Sequence, residues 1–278
     1  MLIRKELFVF QLRKNFLSLR SVLFLFLVVA LFFIYLVPEI ESIFYFAEIH
    51  NLNEKQILQS LSDSFTVSVF SFFNSFLSFV IPIFVSLSVA QEIEKGITAT
   101  YLTFPVTRKQ FLLSKAISDL TILFILVFMP VPAIILYIYF FHHLIYFNYA
   151  FLVSYVITAV YITLFGYVFV LAISILLPYV STSLITSILI FFSWTTIFSY
   201  LANLAGIYSI SQIYSFTNYG IQFVTIYIYY ALNEKTNPQF LSEYMPPAVN
   251  NVLTFAILGV ISCLIAFYQF SNRDFTEI

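Results

Sequence analysis

The stretch from Leu120 to Asn233 contains no Asp, Glu, Lys or Arg, and this feature constrains the fold more than any other. A soluble fold needs charged side chains on its surface, and about a quarter of the residues in an average soluble domain are charged. Here only 9% of the residues are charged and 62% are hydrophobic. A water-facing surface of this composition would associate with itself. The sequence therefore predicts an integral membrane protein that crosses the lipid bilayer several times, with no indication of a nucleic-acid partner.

The uncharged runs are separated by turn residues and charges, which place the spans. A segment in lipid must satisfy its backbone hydrogen bonds internally, and the alternating polarity of barrel strands is absent, so we expect helices. The predicted fold class is an all-α integral membrane protein with six transmembrane helices. The expected spans are 21–37, 65–90, 117–141, 151–177, 182–204 and 248–270.

The distribution of Lys and Arg predicts the orientation of these spans. With six spans, all 12 Lys and Arg residues except Lys55 and Lys235 fall on the same side. Membrane proteins keep an excess of Lys and Arg in their cytoplasmic segments. We therefore expect a multi-pass protein of the cell membrane with both termini and the segment 91–116 in the cytoplasm.

Residues 2–20 are expected to form an amphipathic helix along the cytoplasmic interface. Val9 and Leu12 share its apolar face, and Gln11 and Lys14 share its polar face. An ordinary basic flank of the first span is the alternative. The apolar run that follows has no small-residue cleavage site, so we expect an uncleaved span rather than a signal peptide.

The segment 205–247 is apolar but interrupted by Ser, Thr, Asn and Gln. We predict that it forms short re-entrant helices on the external side, buried against protein before the last span. A seventh span over 207–230 is the alternative, and it would move the C-terminus to the outside.

The segment 91–116 is a charged island between two apolar runs, and charges of this density cannot lie in hydrocarbon. Gly96 suits a backbone turn, and Pro105 would stop a short helix over 97–104. Tyr101, Leu102 and Phe104 would give this helix an apolar face that fits a groove on a soluble partner. For Lys109 and Lys115, a solvated loop position is the better interpretation.

The order of residues in this loop resembles the loop after the second span of ABC-2 type permeases, the membrane subunits of ATP-binding-cassette exporters. The shared features are an acidic pair, a Gly, a short helix, Pro-x-Thr-Arg, and a Lys at the start of the third span. Ile97 stands where the family usually has Thr, and residues 270–275 look like the family's usual ending. The resemblance implies an N-terminal elbow helix, external re-entrant helices and a coupling helix in the loop. It implies that the residues coupling the chain to an ATPase are Glu92, Glu94, Gly96, Tyr101, Leu102, Phe104, Pro105 and Arg108.

An energy source is not evident in this chain. The sequence has no G-x-x-x-x-G-K-[ST] phosphate loop, and Asp119 is the one ionisable residue within a predicted span. We therefore expect no catalytic residue, no bound cofactor and no metal site in this chain. The resemblance implies that ATP and Mg bind to a separate ABC ATPase subunit.

Two stripes of small polar residues fall on predicted spans two and five. They are predicted to face the translocation path or a dimer interface, and helix packing is the equal alternative. The stripes are Ser68, Ser71, Ser75 and Ser78 on span two, and Thr196, Ser199 and Asn203 on span five.

The favoured function is an exporter permease that pairs with a second permease, either a copy or a homologue, and with ATPase subunits. An ABC-like accessory protein for assembly or maturation of another complex is the alternative. An intramembrane enzyme is the weakest interpretation, since no catalytic constellation occurs at membrane depth. The sequence does not identify the substrate.

Overall fold

The computed structural model describes residues 5–16, 19–102, 106–145, 148–192 and 238–272, and these described residues are helical apart from short turns. They contain no strand. The helices are Lys5–Phe16 (α1), Leu19–His50 (α2), Glu54–Ser75 (α3), Ile81–Val85 (α4), Gln91–Glu94 (α5), Ile97–Leu102 (α6), Arg108–Phe128 (α7), Pro130–His142 (α8), Tyr149–Leu176 (α9), Val180–Phe192 (α10) and Pro238–Asn272 (α11).

The helices α3, α4 and α5 form one uninterrupted helical rod. It begins at a capping box, in which the Asn53 side chain accepts the Gln56 N–H and the Gln56 side chain accepts the Asn53 N–H. Two π-helical turns, Phe76–Val80 and Ser86–Ala90, separate the three α-helical parts. Pro82 follows the first π turn and has no N–H to donate to the preceding turn of the helix. The wider π turn before it lets the helix continue without that hydrogen bond.

The helices α7 and α8 continue one another across a local break at Met129. Thr107 caps α7 through a second capping box with Gln110, and α8 begins with Pro130 in the first helical position. Pro is tolerated there because the first N–H groups of a helix have no intrahelical acceptor. The α8 helix ends at His142, and His143 takes the left-handed conformation, with a φ of 54°.

The described residues contain four helical stretches that are long and apolar enough to cross a membrane: Val22–His50, Phe76–Glu94, Arg108–His142 and Tyr149–Leu176. Val180–Phe191 in α10 and Ala256–Asn272 in the C-terminal part of α11 are shorter apolar stretches. The prediction of an all-α, multi-pass membrane protein is confirmed. The number of six spans and the re-entrant helices remain predictions, because 193–237 lies outside the described residues.

Aromatic rings fill the core between the helices. Phe32 on α2 meets Phe72 on α3 with ring centroids 4.9 Å apart, and Phe73 lies 5.0 Å from Tyr155 on α9. The Tyr155 hydroxyl donates to the Val127 carbonyl, so this buried polar group is satisfied. Since lipid is also apolar, many large hydrophobic side chains remain on the outside of the bundle.

Several chain segments converge on one end of the bundle, which we call the loop end. The α1 helix packs against α7 there, and α5 and α6 form the connection that leads into α7. Arg108 at the start of α7 donates to the backbone carbonyl of Ser271 at the end of α11, over 2.9 Å. The loop end therefore contains the segment in which the sequence predicts the coupling residues.

Candidate functional site

A sharp turn sets the direction of the short helix α6. The α5 helix ends at Glu94, and Gly96 has a φ of 66°, a left-handed conformation that favours glycine. The Gly96 N–H donates to the Ile93 carbonyl and closes the turn. The six residues of α6 follow, and the buried Thr98 faces the protein. The sequence prediction of a glycine turn followed by a short helix agrees with this geometry.

Four charged side chains meet beneath α6, and we call them the loop-end ion network: Lys14, Glu92, Lys115 and Asp119. Glu92 Oε1 lies 2.6 Å from Lys14 Nζ and 3.2 Å from Lys115 Nζ. Lys115 Nζ also lies 3.7 Å from Asp119 Oδ1, one helical turn further along α7. The network joins α1, α5 and α7 through two formal positive and two formal negative charges.

Neutral side chains extend the buried part of this network. Lys115 Nζ donates to Ser88 Oγ over 2.7 Å, and Ser88 Oγ donates to Asp119 Oδ2 over 2.8 Å. The hydroxyl of Tyr167 on α9 reaches the same Asp119 oxygen at 3.5 Å. Lys115 is 2% exposed and Asp119 is 0% exposed. Charges this deeply buried are tolerated only when paired and hydrogen-bonded, so their partners are held in fixed relative positions.

Lys14 connects the ion network to α6. Its ammonium group lies 5.3 Å from the ring centroid of Tyr101 and 3.4 Å from the Tyr101 hydroxyl oxygen. Partial burial disfavours the charged form of Lys14, but the hydrogen bond and negative charge of Glu92 outweigh it and raise the pKa above the usual value for lysine. Lys14 therefore remains positively charged at physiological pH.

Aromatic side chains continue the contact from α6 into the bundle. Tyr101 packs edge to face against Phe10 on α1 and lies 5.6 Å, centroid to centroid, from Phe111 on α7. Phe111 in turn stacks on Phe270 near the end of α11. Tyr101 is thus seated against the protein itself, between the N-terminal helix and the first turn of α7.

Two further predicted coupling residues make contacts at helix ends. Glu94 Oε2 accepts the backbone N–H of Val180, the first residue of α10, over 2.9 Å. Arg108 bonds the carbonyl of Ser271 in the last turn of α11, where a cation complements the negative end of the helix dipole. Each of the four predicted coupling residues Glu92, Glu94, Tyr101 and Arg108 therefore contacts another helix of the same chain. Glu92 and Tyr101 reach α1 and α7, Glu94 reaches α10 and Arg108 reaches α11.

Part of the predicted site lies outside the described residues. This applies to the side chain of Leu102 and to Phe104 and Pro105. The role of all eight residues in ATPase coupling remains a prediction.

The serine stripe is described only in part. Ser75 Oγ lies 2.8 Å from the Tyr35 hydroxyl on α2, so it contacts a neighbouring helix of the same chain. Ser78, in the first π turn, is buried and its hydroxyl has no hydrogen-bond partner among the described residues. The side chains of Ser68 and Ser71, and the residues Thr196, Ser199 and Asn203, are outside the described part. Their placement in a path or interface stays a prediction.

Three serines form a buried cluster that was not predicted from the sequence. Ser183 Oγ on α10 lies 3.0 Å from Ser86 Oγ in the second π turn and 2.8 Å from Ser174 Oγ on α9. All three side chains are fully buried. Ser86 lies 97 residues before Ser183, and the three serines belong to three different helical segments, so helical spacing within one span could not reveal this cluster.

Two sequence interpretations at the loop end are wrong. Lys115 was expected in a solvated loop, but it is buried, because α7 begins at Arg108 and carries Lys115 into the bundle. Lys115 and Asp119 are four residues apart, which places both on one face of a helix, and this spacing could have indicated that they pair. Gln11 was expected on the exposed face of α1, but it is fully buried while Val9 is 49% exposed. Because a helix of a membrane protein can carry apolar side chains on its outer face, polarity alone does not identify the inner face of α1.

At the opposite end of the bundle, α2 and α8 are joined by a polar contact beside a cavity of about 610 Å³. Glu41 Oε1 accepts the Tyr137 hydroxyl over 2.6 Å and lies 3.2 Å from His142 Nε2. The His142 ring stacks on Phe44. Since Glu41 already has these partners, the contact serves to hold α2 against α8.

Comparison with known proteins gives a family match over most of the chain. Residues 13–275 match the family model described as ABC-2 family transporter protein. No curated protein matches the chain significantly.

Proposed function

Because the chain belongs to the ABC-2 family of transporter proteins, we propose that it is the membrane-spanning permease subunit of an ABC exporter. The family is a transmembrane component rather than the catalytic ATPase. It implies association with an ABC ATPase and with the lipid bilayer. The proposal adds that this chain binds such an ATPase through α6 and moves a substrate across the cell membrane.

The attachment of α6 to the bundle is the observation that carries the proposal. A helix that transmits movement from a partner must be rigidly attached to the helices that it moves. The α6 helix follows α5 after a single glycine turn. The buried pair of Glu92 and Lys115 fixes α5 to α7, and Lys14 fixes α5 to α1, which itself packs on α7. A displacement of α6 by a bound partner would therefore displace several helices together, since a buried ion network resists rearrangement.

ATP enters this scheme through the partner. The sequence contains no phosphate loop, so we propose that ATP and Mg bind to the separate ATPase subunit. Binding of ATP can shift the permease toward another conformation only to the extent that the ATPase binds the two conformations with different affinities. The positions of Lys14, Arg108 and Lys115 at the loop end favour a cytoplasmic location for this end.

We propose further that the permease works as a pair, with a copy or a homologue as its partner and with both termini in the cytoplasm. The substrate would pass between the paired chains. The serine stripe on span two and the polar residues of predicted span five are the candidates for lining this path or the pair interface.

The docking role of α6 is tested by charge substitutions on its predicted apolar face. The chain carrying Leu102→Glu and Phe104→Glu should lose the ATPase during affinity purification, because carboxylates do not fit an apolar groove. Lys109→Gln, an exposed change on the neighbouring turn, is the matched control and should retain the ATPase. Equal recovery of the ATPase with both variants would refute docking through α6. A normal elution profile of the double variant in detergent establishes that its spans remain folded.

A further inference from the structure

We propose that Glu94 is a positioning residue that fixes the start of α10 to the coupling loop, so that α10 moves together with α6. This inference rests on the proposed function, because it concerns how a displacement of α6 reaches the spans. It assigns to Glu94 a contact within this chain in place of a contact with the ATPase.

The start of α10 lacks a capping side chain of its own. The first N–H groups of a helix need acceptors from outside the helix, usually from a Ser, Thr, Asp or Asn just before it. Here Pro178 and Tyr179 precede Val180, and neither side chain provides such an acceptor. Glu94 supplies it from another helix, with Oε2 2.9 Å from the Val180 nitrogen. A carboxylate is also the favoured charge at this end of a helix dipole.

A second, independent contact joins the same turn of α10 to the same helical rod. Ser183, three residues after Val180, contacts Ser86 Oγ over 3.0 Å. Ser86 and Glu94 both belong to the continuous rod that ends at the glycine turn before α6. The rod thus contacts the start of α10 at a buried point and at an exposed point, which restricts both sliding and tilting of α10 relative to it.

These contacts give α10 a direct connection to the coupling loop. Glu94 lies two residues before Gly96, so a displacement of α6 is transmitted to its carboxylate through one turn of backbone. The α10 helix forms the start of predicted span five, whose polar residues are candidates for the path. The connection would therefore link movement of the coupling helix to span five without passing through α7 or α9.

The test measures distances by electron paramagnetic resonance in the complete complex with the ATPase. Nitroxide labels are placed on pairs of cysteines in a Cys263→Ser chain, which removes the one native cysteine. One pair reports on the loop (Lys95→Cys with Ile34→Cys), and the other reports on α10 (Ile185→Cys with Ile34→Cys). Ile34 and Ile185 are exposed on the outside of the bundle. Labelled chain is diluted with unlabelled chain so that distances within one chain are measured.

Three variants separate the bond from other effects. Glu94→Ala removes the acceptor, and Val180→Pro removes the donor at a first helical position that tolerates Pro. Glu94→Gln keeps an acceptor oxygen and is the matched control. In the unaltered chain and in Glu94→Gln, ATP should shift both distances. In Glu94→Ala and Val180→Pro, the loop shift should persist while the α10 shift falls to about half or less, because one of the two contacts is lost.

Two outcomes would overturn the inference, and they are distinguishable. An α10 shift of unchanged size in Glu94→Ala and Val180→Pro would exclude the positioning role while leaving the proposed function intact. Absence of a loop shift in the unaltered complex would contradict the proposed function itself, and with it this inference. If Val180→Pro does not fold, the comparison of Glu94→Ala with Glu94→Gln decides alone.

Discussion

Lys115 on α7 and Glu92 on α5 form a buried ion pair, with Nζ 3.2 Å from Oε1. The same ammonium group donates to Ser88 and lies 3.7 Å from the fully buried Asp119. Lys115 is thus the cation that both carboxylates share in the interior. Removing its charge would take away the ammonium group that pairs with the fully buried Asp119, whereas Glu92 would keep Lys14, and weakening the pairing of a buried charge is costly in a medium of low dielectric constant.

Replacement of Lys115 by Met should destabilise the protein strongly. Breaking a buried ion pair by removing one partner costs about 3–5 kcal/mol, because the remaining charge stays desolvated. Thermal denaturation of the purified chain in detergent should show a marked decrease in Tm. Lys109→Met, on the exposed side of the same helix, is the control and should change Tm little.

A second substitution at this site tests the electrostatic explanation. Lys115→Met combined with Asp119→Leu should recover part of the lost stability, since it removes a stranded carboxylate along with its cation. A Tm of the double variant below that of Lys115→Met would contradict the view that unpaired charge causes the loss.

The contact of α1 with the loop end should depend on pH through Lys14. Glu92 raises the pKa of this ammonium group above the ordinary 10.5. The ion pair of Lys14 with Glu92 therefore contributes fully to stability below about pH 10.5. This contribution is lost as the pH rises through the higher pKa that Lys14 has in the folded protein. A nitroxide at Arg13→Cys should stay immobilised up to that pH and become mobile above it.

Lys14→Arg provides the matched control for this titration. The guanidinium group keeps its charge to a higher pH than an ammonium group, so the onset of mobility should move upward. A transition of the label in the acidic or neutral range, or one that Lys14→Arg leaves unchanged, would assign the pH dependence to another group.

The helical membrane class could be predicted from the sequence because it depends on composition, and the charge-free stretch after Leu120 leaves little choice. The turn at Gly96 could also be predicted, since a left-handed turn is a local feature, whereas the start of α7 at Arg108 was not, because the charges of 91–116 favoured a loop. The partners of Lys14 and Glu94 could not, because they lie on helices far away in sequence. The burial of Gln11 could not be predicted either, because in a membrane protein the outer face of a helix can be as apolar as its inner face.

Close approach of α9 to the long helical rod should depend on Gly166. A Cβ at this position would lie 2.6 Å from Leu77 Cδ1 and 3.0 Å from Ile81 Cδ1. Gly166→Ala should therefore lower Tm, by an amount corresponding to about 1–3 kcal/mol for overpacking. Adding Leu77→Ala removes the nearer atom, and the double variant should lose less stability than the sum of the two single variants. Strict additivity would show that the two side chains do not collide.

The turn before α6 should require a residue that tolerates a left-handed backbone. A Cβ at Gly96 would meet no atom within 4 Å, so any penalty there comes from the φ of 66° alone. Gly96→Val should cost about 1–2 kcal/mol, and Gly96→Asn should cost less, because Asn adopts this conformation more readily. ATPase binding measured by affinity purification should decline in the order Gly, Asn, Val. Equal binding by all three would show that the turn does not position α6 for its partner.

Photocrosslinking tests the central claim, that α6 docks an ABC ATPase, most directly. A photoreactive amino acid replaces Thr100 on the exposed side of α6, or Ile49 at the opposite end of the bundle as the control. We expect irradiation of intact cells to crosslink Thr100, and not Ile49, to a protein that contains the phosphate-loop motif of an ATPase. Crosslinking of that ATPase only from Ile49, or from neither position in the assembled complex, would contradict the claim.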